Sequence, residues 1–173
     1  MIDLSRNHFE LLGLGPAFRL DADALERAYR ELQRVVHPDR FASAGDAQKR
    51  LALQASAQAN EAYRTLRDPV ARAEYLLSLR GVDTNAEAST RLPVAFLTRQ
   101  LERREAAEEA QGAGDDAALA ALVDDVRREA AAVGAEVGRL FDAGDLAAAA
   151  MRVREWRFLV KLGDDVDALR EEP

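Results

Sequence analysis

The chain has 173 residues, of which 48% are hydrophobic and 32% are charged, so it can form one compact domain or two small ones. It has no cysteine and only two histidines, which excludes disulfides, thiol nucleophiles and cysteine-ligated metal sites and argues against a histidine metal site. No apolar run approaches membrane-spanning length and residues 1–10 lack a signal-peptide core, so we expect a cytoplasmic protein without a cofactor.

The net charge of −7 is unevenly distributed along the chain. Residues 1–80 carry 11 acidic and 12 basic side chains, whereas residues 81–173 carry 20 acidic and 12 basic ones. The acidic second half argues against a nucleic-acid partner, because phosphate binding needs a basic surface. Two halves of such different charge indicate two surfaces with different roles.

Four helices are predicted in the first eighty residues. Asn7 and Glu10 have the spacing of a capping box that opens a short helix, which ends at Gly13 or Gly15. Asp21 caps a second helix. The apolar stripe of that helix comprises Leu25, Tyr29, Leu32 and Val36.

A third helix of some twenty residues follows, and then a fourth. The predicted inward positions of the third helix are Leu51, Ala55, Ala59, Ala62, Tyr63 and Leu66. Asp68 and Pro69 are a cap and a first-turn residue for the fourth helix, which Gly81 ends. No strand pattern is present, so the first half is predicted to be all-α.

Between the second and third helices lies the tripeptide His37-Pro38-Asp39. Proline lacks a backbone donor and disfavours the α conformation of the residue before it, so the second helix should stop near Val36. His37 and Asp39 then lie on a surface turn. Arg27, Arg30 and Arg34 share one face of the preceding helix, and Arg40 follows the turn.

Three longer helices are predicted after a polar junction at residues 81–92. Pro93 suits the first turn of a helix that runs to about Gln111, where Gly112 and Gly114 break it. Asp115 caps the next helix and Gly144 ends it, and Asp145 opens the last helix. The stripe of the middle helix is Leu119, Leu122, Val126, Ala130, Val133, Val137 and Leu140, and that of the last is Leu146, Ala149, Val153, Trp156 and Val160. Short turns between amphipathic helices indicate an antiparallel bundle, in which Gly134 and Gly138 let two helices approach.

Part of the apolar surface of this bundle is predicted to be exposed. The stripe Val94, Leu97, Leu101 turns acidic at Glu105, whereas a core stripe stays apolar along its length. On the last helix Trp156 and Val160 share one face, and Phe158 and Leu162 lie nearly opposite. Both faces cannot be core in a three-helix bundle. An exposed apolar patch with charged neighbours is typical of a partner-binding site.

The stretch LQRVVHPDRF, followed by a helix that ends in NEAYRTL, resembles the J domain of DnaJ-type co-chaperones. HPDRFA with LRDPVARAEYLLSLRG after it is similar to the HscB family, the J-type co-chaperones of iron–sulfur cluster biogenesis. The likeness is densest over residues 9–81 and returns in AFLTRQLERRE and VREWRFLVKL. It implies an all-α protein with a J domain over 1–80, a helical hairpin with the H-P-D turn. A junction at 81–92 and a C-terminal three-helix bundle over 93–173 then follow.

The resemblance also implies two partners and a set of residues for each. A DnaK-type chaperone of the iron–sulfur system, HscA-like, is bound and its ATPase stimulated through His37, Pro38, Asp39, Arg27, Arg30, Arg34 and Arg40. An IscU-like cluster scaffold protein is bound through Leu97, Thr98, Leu101, Glu102, Glu105, Glu109 and Phe158. Thr98 departs from the larger apolar residue of the family. The chain has no phosphate-binding glycine loop, so we expect that it is not an enzyme. We also expect neither a membrane nor a nucleic-acid partner.

Three other functions fit parts of the pattern. A general J-domain co-chaperone for other clients would typically have a Gly/Phe-rich linker and a cysteine-rich zinc module, and both are absent from the sequence. A histidine phosphotransfer module would need its histidine on an exposed helix face, which Pro38 disfavours at His37. A structural helical adaptor would leave the H-P-D turn without a role.

Overall fold

The computed structural model describes residues 6–41, 44–84 and 92–170. Over these residues the fold is helical without strands, as predicted. The helices are α1 His8–Leu11, α2 Ala22–Val36, α3 Asp46–Arg67, α4 Pro69–Leu79, α5 Val94–Ala113, α6 Asp116–Ala143 and α7 Leu146–Leu169, with a short 3₁₀ turn at Pro38–Phe41. The chain divides into two compact units between Leu76 and Leu77. The predicted domain limits at residues 80 and 92 stay predictions, and most of the junction, residues 85–91, lies outside the described residues.

The helix starts of the first unit follow its capping residues. The Asn7 side chain accepts a hydrogen bond from the Glu10 backbone at 3.0 Å, and Glu10 accepts one from the Asn7 backbone at 3.1 Å. This is the predicted capping box. Asp21 caps α2 by accepting hydrogen bonds from two backbone N–H groups of its first turn, and Asp68 does the same for α4. These three local predictions are confirmed.

The second and third helices form a hairpin that carries the core of the first unit. The inward face of α2 contributes Leu25 and Val36, which are 3% and 2% exposed. The inward face of α3 is Ala52, Ala55, Ala59, Ala62 and Leu66. Leu51, which was predicted to point inward, is 51% exposed, and Ala52 is buried in its place. Spacings of three and four from Leu66 lead back to Ala52, so Leu51 lies about 100° around the helix from the inward face.

The first helix packs on the end of the same unit. Phe9 is fully buried, and the His8 ring stacks on Tyr75 with 4.3 Å between ring centroids. The Tyr75 hydroxyl accepts a hydrogen bond of 2.9 Å from the His8 backbone N–H. Burial lowers the pKa of His8, so its imidazole stays neutral at neutral pH.

The second unit contains the three long helices α5, α6 and α7. The side chains of Asp115 and Asp145 accept hydrogen bonds from backbone N–H groups in the first turns of α6 and α7, as predicted. Gly114 and Gly144 end α5 and α6 with φ of +66° and +74°, which glycine adopts without strain. Pro93 is the N-cap of α5 rather than its first helical residue. Gly112 lies inside the helix and does not break it, because α5 runs on to Ala113.

The bundle core lies mainly between α6 and α7. The buried side chains of α7 are Ala149, Ala150, Val153, Glu155, Trp156, Leu159, Leu162 and Val166. Val160, predicted to be inward, is 38% exposed, and Leu162, predicted on the opposite face, is 1% exposed. The prediction for Val160 was wrong because the buried face of α7 is centred near Leu159, about 100° away around the helix.

Gly134 gives α6 and α7 their close approach, as predicted. A Cβ at this position would lie 2.6 Å from Cζ2 and 2.9 Å from Cε2 of Trp156. These atoms belong to a rigid ring that is itself 7% exposed, so the ring has little room to move. The absence of a side chain at residue 134 is therefore a packing requirement of the bundle.

We predict that Gly134→Ala destabilises the second unit by about 1–3 kcal/mol, the usual cost of overpacking. Thermal unfolding followed by circular dichroism measures the loss. The matched control is Gly112→Ala, a helical glycine with nothing within 4 Å of the added Cβ. It should be neutral or stabilising, because alanine has the higher helix propensity. Equal stability of the two variants would contradict the packing role of Gly134.

Candidate functional site

The first candidate site is the turn at His37, in the first unit. α2 ends at the buried Val36, and His37 leaves the helix with φ −57° and ψ 127°. Pro38 then starts the 3₁₀ turn, which is closed by a 3.1 Å hydrogen bond from the Arg40 backbone N–H to the His37 carbonyl. The helix therefore stops where the proline predicted that it would. The side chains of His37 and Asp39, which follow, are exposed.

The turn presents an imidazole and a carboxylate to solvent. The side chains of His37 and Asp39 are 53% and 90% exposed, and His37 Nδ1 lies 3.5 Å from Asp39 Oδ2. The Asp39 backbone N–H donates to the same Nδ1 at 3.3 Å. An Nδ1 that accepts a hydrogen bond leaves the ring proton on Nε2. The turn therefore offers a ring donor and an anionic acceptor side by side.

Arg40 holds the turn against the helix that precedes it. Its Nη1 donates a 2.8 Å hydrogen bond to the carbonyl of Arg34, in the last turn of α2. The last carbonyls of a helix have no partner within the helix, and a basic side chain is a favourable one. Arg40 was predicted as a docking residue. What the structure shows is that Arg40 orders the turn.

The basic face of α2 is exposed, and one of its three arginines is in an ion pair. Arg27, Arg30 and Arg34 are all exposed, and Arg30 Nε forms an ion pair of 2.8 Å with Glu26. Within the described part of the chain, no ion pair to Arg27 or Arg34 is present. These two arginines therefore contribute most of the unpaired positive charge on this face.

Glu26 is held by α3 as well as by Arg30. The Tyr63 hydroxyl donates to Glu26, and the Tyr63 ring stacks on Tyr29 with 4.1 Å between centroids. The hydrogen bond from Tyr63 and then the one from Arg30 hold the pKa of Glu26 below its ordinary value. The basic face is thus tied to the α2–α3 hairpin through a carboxylate that stays ionised.

The second candidate site is on the bundle, and we call Leu97, Leu101 and Phe158 the α5–α7 surface. Leu97 and Leu101 are 42% and 57% exposed. The four other predicted scaffold-binding residues of α5 are all exposed: Thr98, Glu102, Glu105 and Glu109. The opposite face of α5 is the packed one and consists of Phe96, Gln100, Arg103, Ala107 and Ala110. The stripe that turns acidic is therefore not a core stripe.

Phe158 is the member of the α5–α7 surface that belongs to α7. It is half-buried, and its ring meets Phe96 edge to face, with 5.7 Å between centroids at 80°. The Arg104 guanidinium lies 5.9 Å from the centre of the same ring. At 100° per residue, Leu97 and Leu101 lie on the side of α5 that Arg104 occupies. Phe158 thus contacts α5 next to the side that carries the two leucines, while Glu102, Glu105 and Glu109 lie further around α5.

Arg103 is the residue of this site that the sequence analysis missed. Its side chain is 12% exposed and reaches Asp125 and Glu129 of α6, each at 2.6 Å. It also donates to the Gln100 side chain at 3.0 Å. These charge-assisted bonds set the rotation of α5 about its axis, and so which face it exposes. A sequence signal exists, because Arg103 has the same helical phase as Phe96, Gln100 and Ala107.

Neither site resembles a metal centre. Over residues 6–41, 44–84 and 92–170, no group of three or more His, Cys, Asp or Glu side chains could hold a metal ion. In the same part of the chain, no helix is both long and apolar enough to cross a membrane.

Comparison with known proteins divides the chain between two family models. The DnaJ domain matches residues 7–75, which contain the His37 turn, and the HSCB C-terminal oligomerisation domain matches residues 92–167. The chain is 51% identical to the co-chaperone protein HscB homolog of Burkholderia multivorans over 168 residues, which cover 97% of this chain and 96% of the relative. The chain belongs to the HscB family. The resemblance to J-type co-chaperones of iron–sulfur cluster biogenesis is thereby confirmed.

Solved structures of HscB proteins have the same fold. Chaperone HscB from Vibrio cholerae is 36% identical and superposes with a TM-score of 0.85 over 96% of this chain and 98% of that one. The human co-chaperone protein HscB is 27% identical, with a TM-score of 0.87 over 96% and 83% of the two chains. The helical architecture of the HscB family is therefore retained along nearly the whole chain.

We predict that Tyr63→Phe raises the pKa of Glu26 toward its ordinary value, because it removes the hydrogen bond that lowers this pKa most. A carboxyl with a depressed folded pKa stabilises the fold above its unfolded pKa, and this contribution is lost as the pH falls through the folded value. The variant should therefore lose less stability on acidification. NMR titration of the Glu26 carboxyl carbon gives the pKa directly.

Tyr29→Phe is the matched control for this measurement. It removes a hydroxyl from the other ring of the stack, one that donates to Asn60 at 2.8 Å. The pKa of Glu26 should stay where it is in the unmodified chain. The same pKa in all three proteins would show that the Tyr63 hydroxyl does not act on Glu26.

Proposed function

We propose that the chain is an adaptor with two partners in the assembly of iron–sulfur clusters. The His37 turn and the basic face of α2 bind an HscA-like chaperone of the DnaK type and stimulate its ATPase. The α5–α7 surface and the acidic face of α5 bind an IscU-like scaffold protein and deliver it to that chaperone. The proposed site of action is the cytoplasm, and nucleotide hydrolysis belongs to the partner.

The exposure of His37 and Asp39 on an ordered turn carries the first half of this proposal. A carboxylate that is 90% exposed can accept a charge-assisted hydrogen bond from an arginine of the chaperone. Pro38 and the bond from Arg40 to the Arg34 carbonyl order the turn before binding, which reduces the entropy lost on docking. Arg27 and Arg34 supply a positive field, which speeds the encounter with an acidic partner more than it raises affinity.

Exposed apolar side chains beside carboxylates support the second half. Leu97 and Leu101 are large, exposed and one helical turn apart, and Phe158 contacts the neighbouring side of α5 through Phe96 and Arg104. Such a cluster is suited to form the desolvated centre of an interface. Glu102, Glu105 and Glu109 would form its charged rim and favour a scaffold protein with a basic patch.

A chain that binds both partners increases the local concentration of one for the other. Once the chaperone has bound the His37 turn, its encounter with the tethered scaffold protein becomes intramolecular. The scaffold protein and the J domain would then act together to shift the chaperone to its tight-binding state. This coupling gives the two units of one chain a joint role.

We predict that His37→Gln abolishes the stimulation of the chaperone's steady-state ATPase. Glutamine keeps a polar side chain but not the imidazole geometry, and the side chain is too exposed for its loss to unfold the J domain. Circular dichroism and binding of the scaffold protein should be unchanged, which makes the second unit an internal control. Full stimulation by the variant would refute the role assigned to the turn.

Joint replacement of Leu97, Leu101 and Phe158 by alanine should weaken scaffold binding by at least about tenfold, as expected when the apolar centre of an interface is truncated. The bundle should stay folded, with a loss of about 0.5–1.5 kcal/mol from the Phe158–Phe96 ring pairing and a further loss from the buried part of the Phe158 side chain. Isothermal titration calorimetry and thermal unfolding report the two effects separately.

Val160→Ala is the control, because it truncates an exposed apolar side chain of α7 outside the proposed site. It should bind the scaffold protein as the unmodified chain does. A large loss of stability in the triple variant would instead identify the three residues as core and show that the proposed site is assigned to the wrong residues.

A further inference from the structure

A recess on the outer side of α7 adjoins the α5–α7 surface. It is lined by Leu92, Arg154, Arg157, Phe158 and Lys161 and has a volume of about 200 Å³. Of these residues, only Phe158 belongs to the predicted scaffold-binding set. A cavity of about 150 Å³ is enough to hold a benzene ring, so this recess can take one large apolar side chain.

The walls of the α7 recess are basic, although residues 81–173 as a whole are strongly acidic. Its three cationic side chains are spaced by three and four residues along α7, which places them around the Phe158 ring. The Lys161 ammonium is largely exposed, and its contact is a 3.1 Å ion pair with Asp165. The concentration of positive charge at this point is therefore a local feature.

Arg154, which lines the recess, has a buried donor without an acceptor in the described part of the chain. Its Nε is buried and, among the residues that the structure describes, has no hydrogen-bond partner. A buried donor without an acceptor is costly, and native proteins rarely leave one unpaired. A carboxylate that entered the recess would lie beside the Arg154 guanidinium and be held by a cation at short range.

The charges on either side of the α5–α7 surface have opposite sign. Glu102, Glu105 and Glu109 lie on the outer face of α5, and the basic recess lies on α7 beyond Phe158. A partner bound across the leucines would meet negative charge on one side and positive charge on the other. Such an arrangement selects one orientation of the partner, because the reversed orientation places like charges together.

We infer that the α7 recess binds a segment of the scaffold protein in which a large apolar side chain stands next to an aspartate or glutamate. The apolar side chain packs on Phe158 and Leu92, and the carboxylate accepts a hydrogen bond from Arg154. This inference rests on the proposed function and adds to it a specific contact that orients the scaffold protein.

The test compares two charge reversals in the full chain, Arg154→Glu and Arg139→Glu. Both change the net charge equally, but Arg139 is an exposed residue of α6 that does not line the recess. Isothermal titration with the cluster scaffold protein should show Arg154→Glu to bind at least about tenfold more weakly, as for a desolvated charge contact, with Arg139→Glu unchanged. The difference should shrink when the ionic strength is raised from about 0.05 M to about 0.5 M.

Two further variants distinguish a failure of this inference from a failure of the proposed function. Arg154→Gln removes the charge without reversing it and should give an intermediate loss, and it replaces Arg154→Glu if circular dichroism shows that variant to be unfolded. Leu97→Ala/Leu101→Ala tests the underlying site. If it weakens binding while Arg154→Glu binds like Arg139→Glu, the inference is wrong and the proposed function stands. No binding of the scaffold protein to the unmodified chain would overturn both.

Discussion

The end of α2 is the constraint on which the first unit depends. Val36 is buried against Ala55 and Ala59, so the last turn of α2 is held to α3 by apolar packing. Pro38 cannot continue the helix, because its ring excludes the α conformation at His37. The chain must therefore leave the hairpin at His37, at a place where packing has already determined the direction of the helix. A flexible loop would carry the same residues without this pre-organisation.

In the second unit, a different interaction determines which residues are presented to solvent. A single half-buried guanidinium, that of Arg103, joins α5 to two carboxylates of α6 and to the side chain of Gln100. These bonds select the rotation of α5 that buries Phe96 and exposes Leu97 and Leu101. An amphipathic helix with an entirely apolar buried face would have turned the leucines inward. The leucines are exposed because a polar contact takes their place in the packed face.

Local features of the fold could be predicted from the sequence, and the phases of some helix faces could not. Caps such as Asp21 and terminators such as Gly144 act through bonds or conformations within a few residues, so the sequence alone determines them. Whether Leu51 or Ala52 faces α2 depends on how closely two helices approach, which is a tertiary property. Val160 was misplaced for the same reason. The exposed leucines of α5 were predicted because an acidic stripe cannot be core, whereas Arg103 was missed because a charged residue is rarely expected to be buried.

The two surfaces have their proposed effect only if one chain carries both. This claim is tested by the chaperone's ATPase in the presence of the scaffold protein, with a mixture of two variants. His37→Gln retains the scaffold site, and Leu97→Ala/Leu101→Ala retains the turn. The unmodified chain should give more stimulation with the scaffold protein than without it, and the mixture should not restore this gain, because delivery within one molecule is lost. Full recovery of the gain by the mixture would contradict the account.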